Sequence, residues 1–556
     1  MKTKSHYLFF LILMVVTFGV NAQMRGNQTQ YLDSEFDRLL SERYQPGQPG
    51  VAALVARDGQ VVYRKAFGTA NLELDVPMTP DMVFRIGSIT KQFTAVAILQ
   101  LLEQGKLNLN DEITKFIPDY PTQGHKITIH HLLNHTSGIK SYTSMSEFSM
   151  VMRKDHSPSQ IIEIFKDQPM DFAPGERFLY NNSGYILLGY IIEKVSGQTY
   201  LQYVAEQLFK PADMVNSLYG NDNIVLKNRA YGYQPSSSGY ANADFISMSL
   251  PYAAGSLMST VEDLFKWNQA LQNGKLLKKE TLELAFTPGK LNDGTPMTFG
   301  YGWEMGDLQG SPAIAHGGGI HGFISYASWL PQENVVVILL QNSTGSAPED
   351  LAHQMAAITI GKPFNFKEIP VAEDILQNYS GVFEASNDVK RAIFVEDGKL
   401  FSQRTGGNQF QIIPFAKDKF FFENSLTQIE FKRNEQGKVV AAVFKTATGR
   451  PEEMKLTDEP LPEKTREIQL SEEILKRYVG MYELMPGFEL TFTLEEGKLM
   501  TQATGQPKFE IFAESETKFF LKVTVASVEF LFDEAGKVNA LILKQSGQEM
   551  RAPKLG

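Results

Sequence analysis

The chain has 556 residues, a formal net charge of −10 and 43% hydrophobic residues. That length suits roughly two to four domains with sizeable cores. The acidic balance, with lysine and arginine scattered, argues against a nucleic-acid partner. The absence of cysteine excludes disulfides, thiol catalysis and cysteine-held metals.

Lys2 and Lys4 precede an apolar run from Tyr7 to Val20, and Val20-Asn21-Ala22 offers a small-residue cleavage site. Residues 1–22 therefore read as a secretory signal peptide. The run is short for a membrane span, and no cysteine follows to carry a lipid. A periplasmic or secreted protein with no stable membrane span after signal removal is expected. Gln30–Arg43 then carries Tyr31, Leu32, Phe36, Leu39 and Leu40 at helical spacing. Val51–Ala56 and Val61–Phe67 flank Asp58-Gly59, which predicts a hairpin.

From Phe93 to Leu102 only Thr94 and Gln100 are polar, so this helix should be buried on all sides, with Gly105 ending it. Further helical periodicity covers Pro158–Lys166, Ser183–Val195, Tyr200–Leu208 and Val261–Leu271. Strand patterns occupy Ala313 to Gln341, most clearly Val335–Leu340, and a helix follows over Pro348–Ile358. Strands at both ends with helices between predict an α/β (α+β) domain over 23–362. Its one antiparallel sheet would be completed by the two termini and flanked by helices.

The remainder is an internal duplication. Tyr379-Ser380-Gly381 recurs 99 residues on as Tyr478-Val479-Gly480, and Gly398-Lys399-Leu400 as Gly497-Lys498-Leu499 at the same offset. Short β-rich runs alternate with Asp-Gly and Gly-Lys turns in each copy. Two all-β, lipocalin-like barrels of about eight strands are expected, over 370–457 and 468–556, because closure leaves no sheet edge exposed. The polar stretch Pro451–Ser471 reads as their linker.

Three Ser-x-x-Lys pairs occur: Ser88/Lys91, Ser137/Lys140 and Ser515/Lys518. The second contains Gly138 in a turn, and the third lies in the β-rich region, where residues three apart face opposite ways. Only the first opens a buried helix, where two residues three apart share a face. A helix N-terminus favours developing negative charge. A serine hydroxyl needs a base, and lowering a lysine to near neutrality costs roughly 4–5 kcal/mol of differential interaction. Taken alone, the pair also reads as a helix cap followed by a solvated lysine.

Further motifs change that balance. Phe84-x-x-Gly87-Ser88-x-x-Lys91 is followed by His131-Leu132-Leu133-Asn134-His135-Thr136-Ser137-Gly138 and by Tyr180-Asn181-Asn182-Ser183-Gly184-Tyr185. Then come Ala254-Gly255-Ser256-Leu257 with Asp263 and Trp267, Phe299-Gly300-Tyr301-Gly302-Trp303, and His316-Gly317-Gly318-Gly319-x-x-Gly322-Phe323. In this order, over residues 35–360, they resemble the serine β-lactamase and penicillin-binding superfamily. The nearest members are the class C β-lactamases and their D,D-carboxypeptidase, D-aminopeptidase (peptidase S12 type) and esterase relatives.

The resemblance implies that Ser88 is acylated by an amide or ester carbonyl and that Lys91 and Tyr180 move its proton. Which of the two is the base stays open. Asn182 would bond the lysine and the substrate amide, and the backbone N–H groups of Gly319 and Ser88 would form the oxyanion hole. His316, Gly317 and Gly318 stand where β-lactamases carry Lys-Thr-Gly, so a fixed charge is replaced by an imidazole that is only partly protonated at neutral pH. That disfavours penicillins and favours substrates without a carboxylate there, with His316, Gly318 and Gly319 lining the cleft.

The expected activity is hydrolysis of short peptides, amides or cell-wall fragments, with no metal or organic cofactor. The alternatives are an esterase or β-lactamase on the same scaffold, or a non-catalytic peptidoglycan-binding sensor. In such relatives C-terminal barrels restrict cleft access or build homo-oligomers, and either role is open here. His130, His131 and His135 read as structural hydrogen-bonding groups, and Phe420-Phe421-Phe422 as barrel packing.

Overall fold

The computed structural model describes residues 30–385, 389–405, 407–462, 467–485, 487–524, 526–545 and 548–555. The signal sequence read at 1–22 and part of the linker lie outside the described residues. The chain forms two compact units: one runs to Phe364 and includes Ala447–Gly449, and the other holds Asn365–Thr446 and the chain from Arg450 onward.

In the first unit, helix α1 covers residues 30–43. Strands β1 (Val51–Arg57) and β2 (Gln60–Phe67) form the expected hairpin. Asp58 and Gly59 take φ of 52° and 74°, the left-handed pair that a tight hairpin turn requires. Four later strands join them: β3 (Glu304–Leu308), β4 (Ser311–Ile320), β5 (Phe323–Leu330) and β6 (Val335–Gln341). The sheet order is β3-β4-β5-β6-β1-β2. Val51 pairs antiparallel with Gln341, so the N-terminal hairpin completes a sheet built otherwise from the C-terminal end.

Both faces of β1 are buried, as its near-continuous apolar sequence requires. Val51, Ala53 and Val55 meet α1 (Phe36, Leu40) and the closing helix Glu349–Thr359 (Met355, Ala356). Ala52, Leu54 and Ala56 face the larger core, which contains helix α2 (Thr90–Glu103). Every residue of α2 from Thr90 to Leu99 is buried. The two polar positions between Phe93 and Leu102 are tethers: Thr94 Oγ1 donates to Ala253 O at 2.7 Å, and Gln100 Nε2 donates to Leu276 O at 3.1 Å. Trp267 stacks on Phe93 at 3.9 Å and donates to Gln92 Oε1.

In the second unit the first copy closes as an eight-stranded antiparallel barrel running from Gly381 to Leu456. Its eighth strand, Glu452–Leu456, falls inside the stretch read as linker, so the linker begins after Leu456. The second copy is all-β but splits into a four-stranded and a five-stranded sheet. In the first copy Ile412 pairs with Phe422 within one strand, Gln409–Ala416. In the second copy the strand breaks at the equivalent Ile511, leaving only Phe512↔Phe520 and Ala513↔Phe519 paired. Its first and last strands still meet, through a bridge between Tyr482 and Lys554.

Leu99 is fully buried at the centre of α2. Leu99→Ala is expected to destabilise the first unit by about 2–5 kcal/mol. Tryptophan fluorescence in a urea titration reports this unit selectively, because the chain's three tryptophans (Trp267, Trp303, Trp329) all lie in it.

Candidate active site

Ser88 lies on a 3-10 turn, Gly87–Ile89, that runs directly into α2. One turn along, Lys91 is fully buried. Its Nζ is 3.1 Å from Ser88 Oγ, 2.8 Å from Asn182 Oδ1 and 2.9 Å from the Ala254 carbonyl. Two further bonds hold the Ala254 segment to the helix: Thr94 to Ala253 O, and Leu257 N–H to Thr90 Oγ1 at 3.1 Å. Burial drives the Lys91 amine well below its ordinary value of 10.5. In the neutral amine, two N–H bonds go to the acceptor-only oxygens of Asn182 and Ala254, which leaves the nitrogen lone pair toward Ser88.

Tyr180 and Asn182 are delivered by the start of a helix, Asn182–Ser196. Asn181, itself in extended backbone, caps it by accepting from Gly184 N–H at 2.8 Å, and Tyr180 lies just outside the helix. The Tyr180 ring centroid is 4.8 Å from Lys91 Nζ, and the ring packs on His135 at 4.4 Å. Its hydroxyl is buried and makes no hydrogen bond in this structure. Burial raises the phenol far above its usual range, against a smaller opposing pull from the Ser88 hydroxyl. Tyr180 is thus protonated at neutral pH, beside an amine that burial drives toward its free form.

The third side of the site is β4. Pairing with β3 ends at Glu304↔Ala315, so residues 316–320 leave one backbone edge of β4 unpaired. The Ser88 turn lies over this stretch. Gly87 has φ of 50°, and a Cβ there would stand 2.9 Å from the N and O of Gly319. A Cβ on Gly318 would stand 2.1 Å from Ile86 O, whereas one on Gly319 would meet nothing within 4 Å. Ser325 Oγ staples the approach, donating to Ile86 O at 2.8 Å.

His316 shares the site face of β4, with its ring 6.2 Å from Tyr180 and 5.6 Å from Phe299. Here the expectation of partial charge is corrected. Burial pushes the imidazole down to about 4, so it is neutral at pH 7. Nδ1–H donates to Gly317 O, and Nε2 is a buried acceptor without a partner.

The seven residues expected to form the site therefore lie together around the Ser88 turn and β4. Others were not read as functional. Asn182 Nδ2 donates to Thr143 Oγ1 at 2.9 Å, and Asn182 N–H donates to Ser141 Oγ at 3.3 Å. These contacts tie Asn182 to the Ser141–Thr143 segment. No spacing in the sequence marks Thr143 or Ser325, since each acts through a contact made only on folding.

The three histidines read as structural each hold a hydrogen bond. His130 bonds Tyr301 OH and the Asn134 amide, His131 forms a capping box with Thr128, and His135 Nδ1 accepts from Asn181 N–H. Lys140 pairs with Asp171, and Ser515 accepts from Lys518 N–H in a turn, so neither other Ser-x-x-Lys pair forms a comparable centre.

An antiparallel sheet covered by helices, with a serine and a desolvated lysine on the turn that meets its edge, defines a β-lactamase-type domain. The family described as Beta-lactamase matches residues 36–361, and the chain belongs to it. A Domain of unknown function (DUF3471) matches 464–553. Penicillin-binding protein 4* of Bacillus subtilis is 28% identical, covering 74% of this chain and 95% of that protein. The octameric penicillin-binding protein homologue from Pyrococcus abyssi is similar in structure (TM-score 0.54, 29% identity, 77% of this chain and 99% of that one). So is D-amino acid amidase from Ochrobactrum anthropi SV3 (TM-score 0.53, 25% identity, 59% and 99%). No helix among the described residues is long and apolar enough to cross a membrane.

Two outcomes follow from this geometry. Gly318→Ala forces the turn off the strand by on the order of 1 Å, which is expected to lower kcat/KM about 100-fold while leaving the circular dichroism spectrum unchanged. For Lys91, the unfolded chain binds more protons than the folded one between the depressed folded pKa and 10.5. Stability therefore rises with pH across that window, and Lys91→Met should flatten the rise in denaturant titrations at stepped pH.

Proposed function

We propose that this chain is an exported serine hydrolase of the peptidase S12 type that opens amide or peptide bonds through an acyl-enzyme on Ser88. The observation that carries the reading is the fully buried Lys91 amine, 3.1 Å from Ser88 Oγ, with its other two contacts made by uncharged oxygens. Lys91, held as free amine by burial, takes the Ser88 proton as Oγ attacks the carbonyl carbon. The N–H groups of Ser88 and Gly319 receive the oxyanion at the open edge of β4. Tyr180, protonated and unbonded, gives its proton to the leaving amine as the C–N bond breaks, and Lys91 returns one to the phenolate. Water then hydrolyses the ester to a carboxylate and restores Ser88.

Asn182 orients the lysine and, with His316, Gly318 and Gly319, lines the substrate path. A neutral imidazole acceptor at His316 has no charge to hold a substrate carboxylate. D-amino-acid amides and short D-peptides thus fit better than penicillins, in keeping with the similarity to a D-amino acid amidase. Residues 1–22 act as the cleavable signal, 23–362 as the catalytic domain, and 370–457 and 468–556 as lipocalin-like modules. The resemblance to an octameric homologue supports a role for those modules in assembly.

The test is a substrate panel of D- and L-amino-acid amides, p-nitrophenyl esters and nitrocefin, compared by kcat/KM. D-amides should lead, with activity rising with pH through the depressed Lys91 pKa. Ser88→Ala should lose about 10⁴-fold or more and all labelling by a fluorophosphonate. Equal labelling of Ser88→Ala, or a lead for nitrocefin, overturns the reading.

A further inference from the structure

The two β-rich copies share one ladder register, which makes each a control for the other. In the first, Arg391 pairs with Phe383 on one side and Arg404 on the other. In the second, 99 residues on, Leu490 pairs with Tyr482 and Ala503. Arg391 has the same strand parity as Ile393, which is fully buried in the barrel core, so its side chain belongs to the interior face at the barrel mouth. Around it the first copy carries Phe422 and Phe444 where the second has Leu521 and Leu543. Leu490 and Leu543 lie in an ordinary apolar core.

A guanidinium here is costly in a way leucine is not. Arg391 Nε is buried without a hydrogen-bond partner, and Nη1 has only a long contact, 3.4 Å, to Ser402 Oγ. The guanidinium stands 4.7 Å from the Phe444 ring and 5.8 Å from that of Phe422. Arg404, directly across the strand pair, adds a like charge, an arrangement that destabilises a ladder. Neither arginine forms an ion pair with a carboxylate among the described residues. Burial and then Arg404 depress the Arg391 guanidinium, and Glu452 opposes the shift. Phe410, paired with Ser402 on the next strand, is 52% exposed at the same mouth. The far end of the barrel is filled by Leu376 and Tyr379.

We propose that the mouth of the first barrel binds a small amphiphilic carboxylate. Its anionic group bridges Arg391 and Arg404, and its apolar body lies on Phe410. The second copy keeps the same strand register around Leu490, so the ladder at this position needs no cation. Two opposed guanidiniums beside an exposed ring are the donor set for an anion with an apolar part. This site is independent of hydrolysis at Ser88.

Calorimetric titration of the full chain with 3-phenylpropionate tests it, with 3-phenylpropanol and inorganic phosphate as comparisons. Saturable binding of the acid is expected, with the alcohol and phosphate each weaker. Arg391→Leu and Arg404→Ala, the residues of the second copy, should each weaken binding about tenfold or more, and Ser88→Ala should leave it unchanged. Arg391→Leu should melt no lower than the parent, and if it does not fold, Arg404→Ala carries the test. The proposal is overturned by no saturable binding, by unchanged affinity in the arginine variants, by alcohol or phosphate binding as tightly as the acid, or by loss of binding in Ser88→Ala.

Discussion

An amine taken out of water is the constraint on which the catalytic unit depends. Burying an ammonium costs several kcal/mol unless it is paired, and the usual response is to give up the proton. Lys91 sits in a helix that is buried at every position from Thr90 to Leu99, and among the described residues it contacts two carbonyl-type oxygens but no carboxylate. A carboxylate partner would have kept the lysine charged. Uncharged acceptors orient the amine without holding its proton, which is why Asn182 and the Ala254 carbonyl, rather than an acid, stand beside it.

Close backbone approach is the second requirement, and glycine supplies it. The Ser88 turn can rest on β4 only because Gly87 and Gly318 lack side chains at the contact, with Ser325 bonding the carbonyl that passes there. The short β3 leaves the facing edge of β4 unpaired. Sheet and Ser88 turn thereby become one structure: a strand edge that would otherwise be a liability becomes a row of donors and acceptors beside the serine. The N-terminal hairpin contributes no side chain to the site, yet it closes the sheet on the far side of β6 and buries both faces of β1.

The β-rich region shows how far duplicated sequences diverge within one register. The offset of 99 residues survives in the cross-strand pairs, so the second copy keeps the topology of the first while breaking a strand at Ile511. The polar substitutions run the other way. Where the second copy has Leu490, Leu521 and Leu543, the first has Arg391 bordered by Phe422 and Phe444, a difference that packing alone does not call for.

Much of this was legible in the linear chain. Asp58-Gly59 between alternating apolar runs could only be a hairpin, and an apolar run from Phe93 to Leu102 could only be interior. The repeat marked two β modules, and the ordered motifs brought Ser88, Lys91, Tyr180, Asn182 and His316 into one hypothesis. Periodicity and turn chemistry are local, so sequence alone determined the elements, the duplication and the cast of the site. Tertiary structure decided the protonation states, because desolvation is set by neighbours from distant segments: the same imidazole at His316 is partly charged in water and neutral once buried. It also decided that Thr143 and Ser325 matter, and that Arg391 faces a barrel core, since contacts across folded distance leave no spacing in the chain to read.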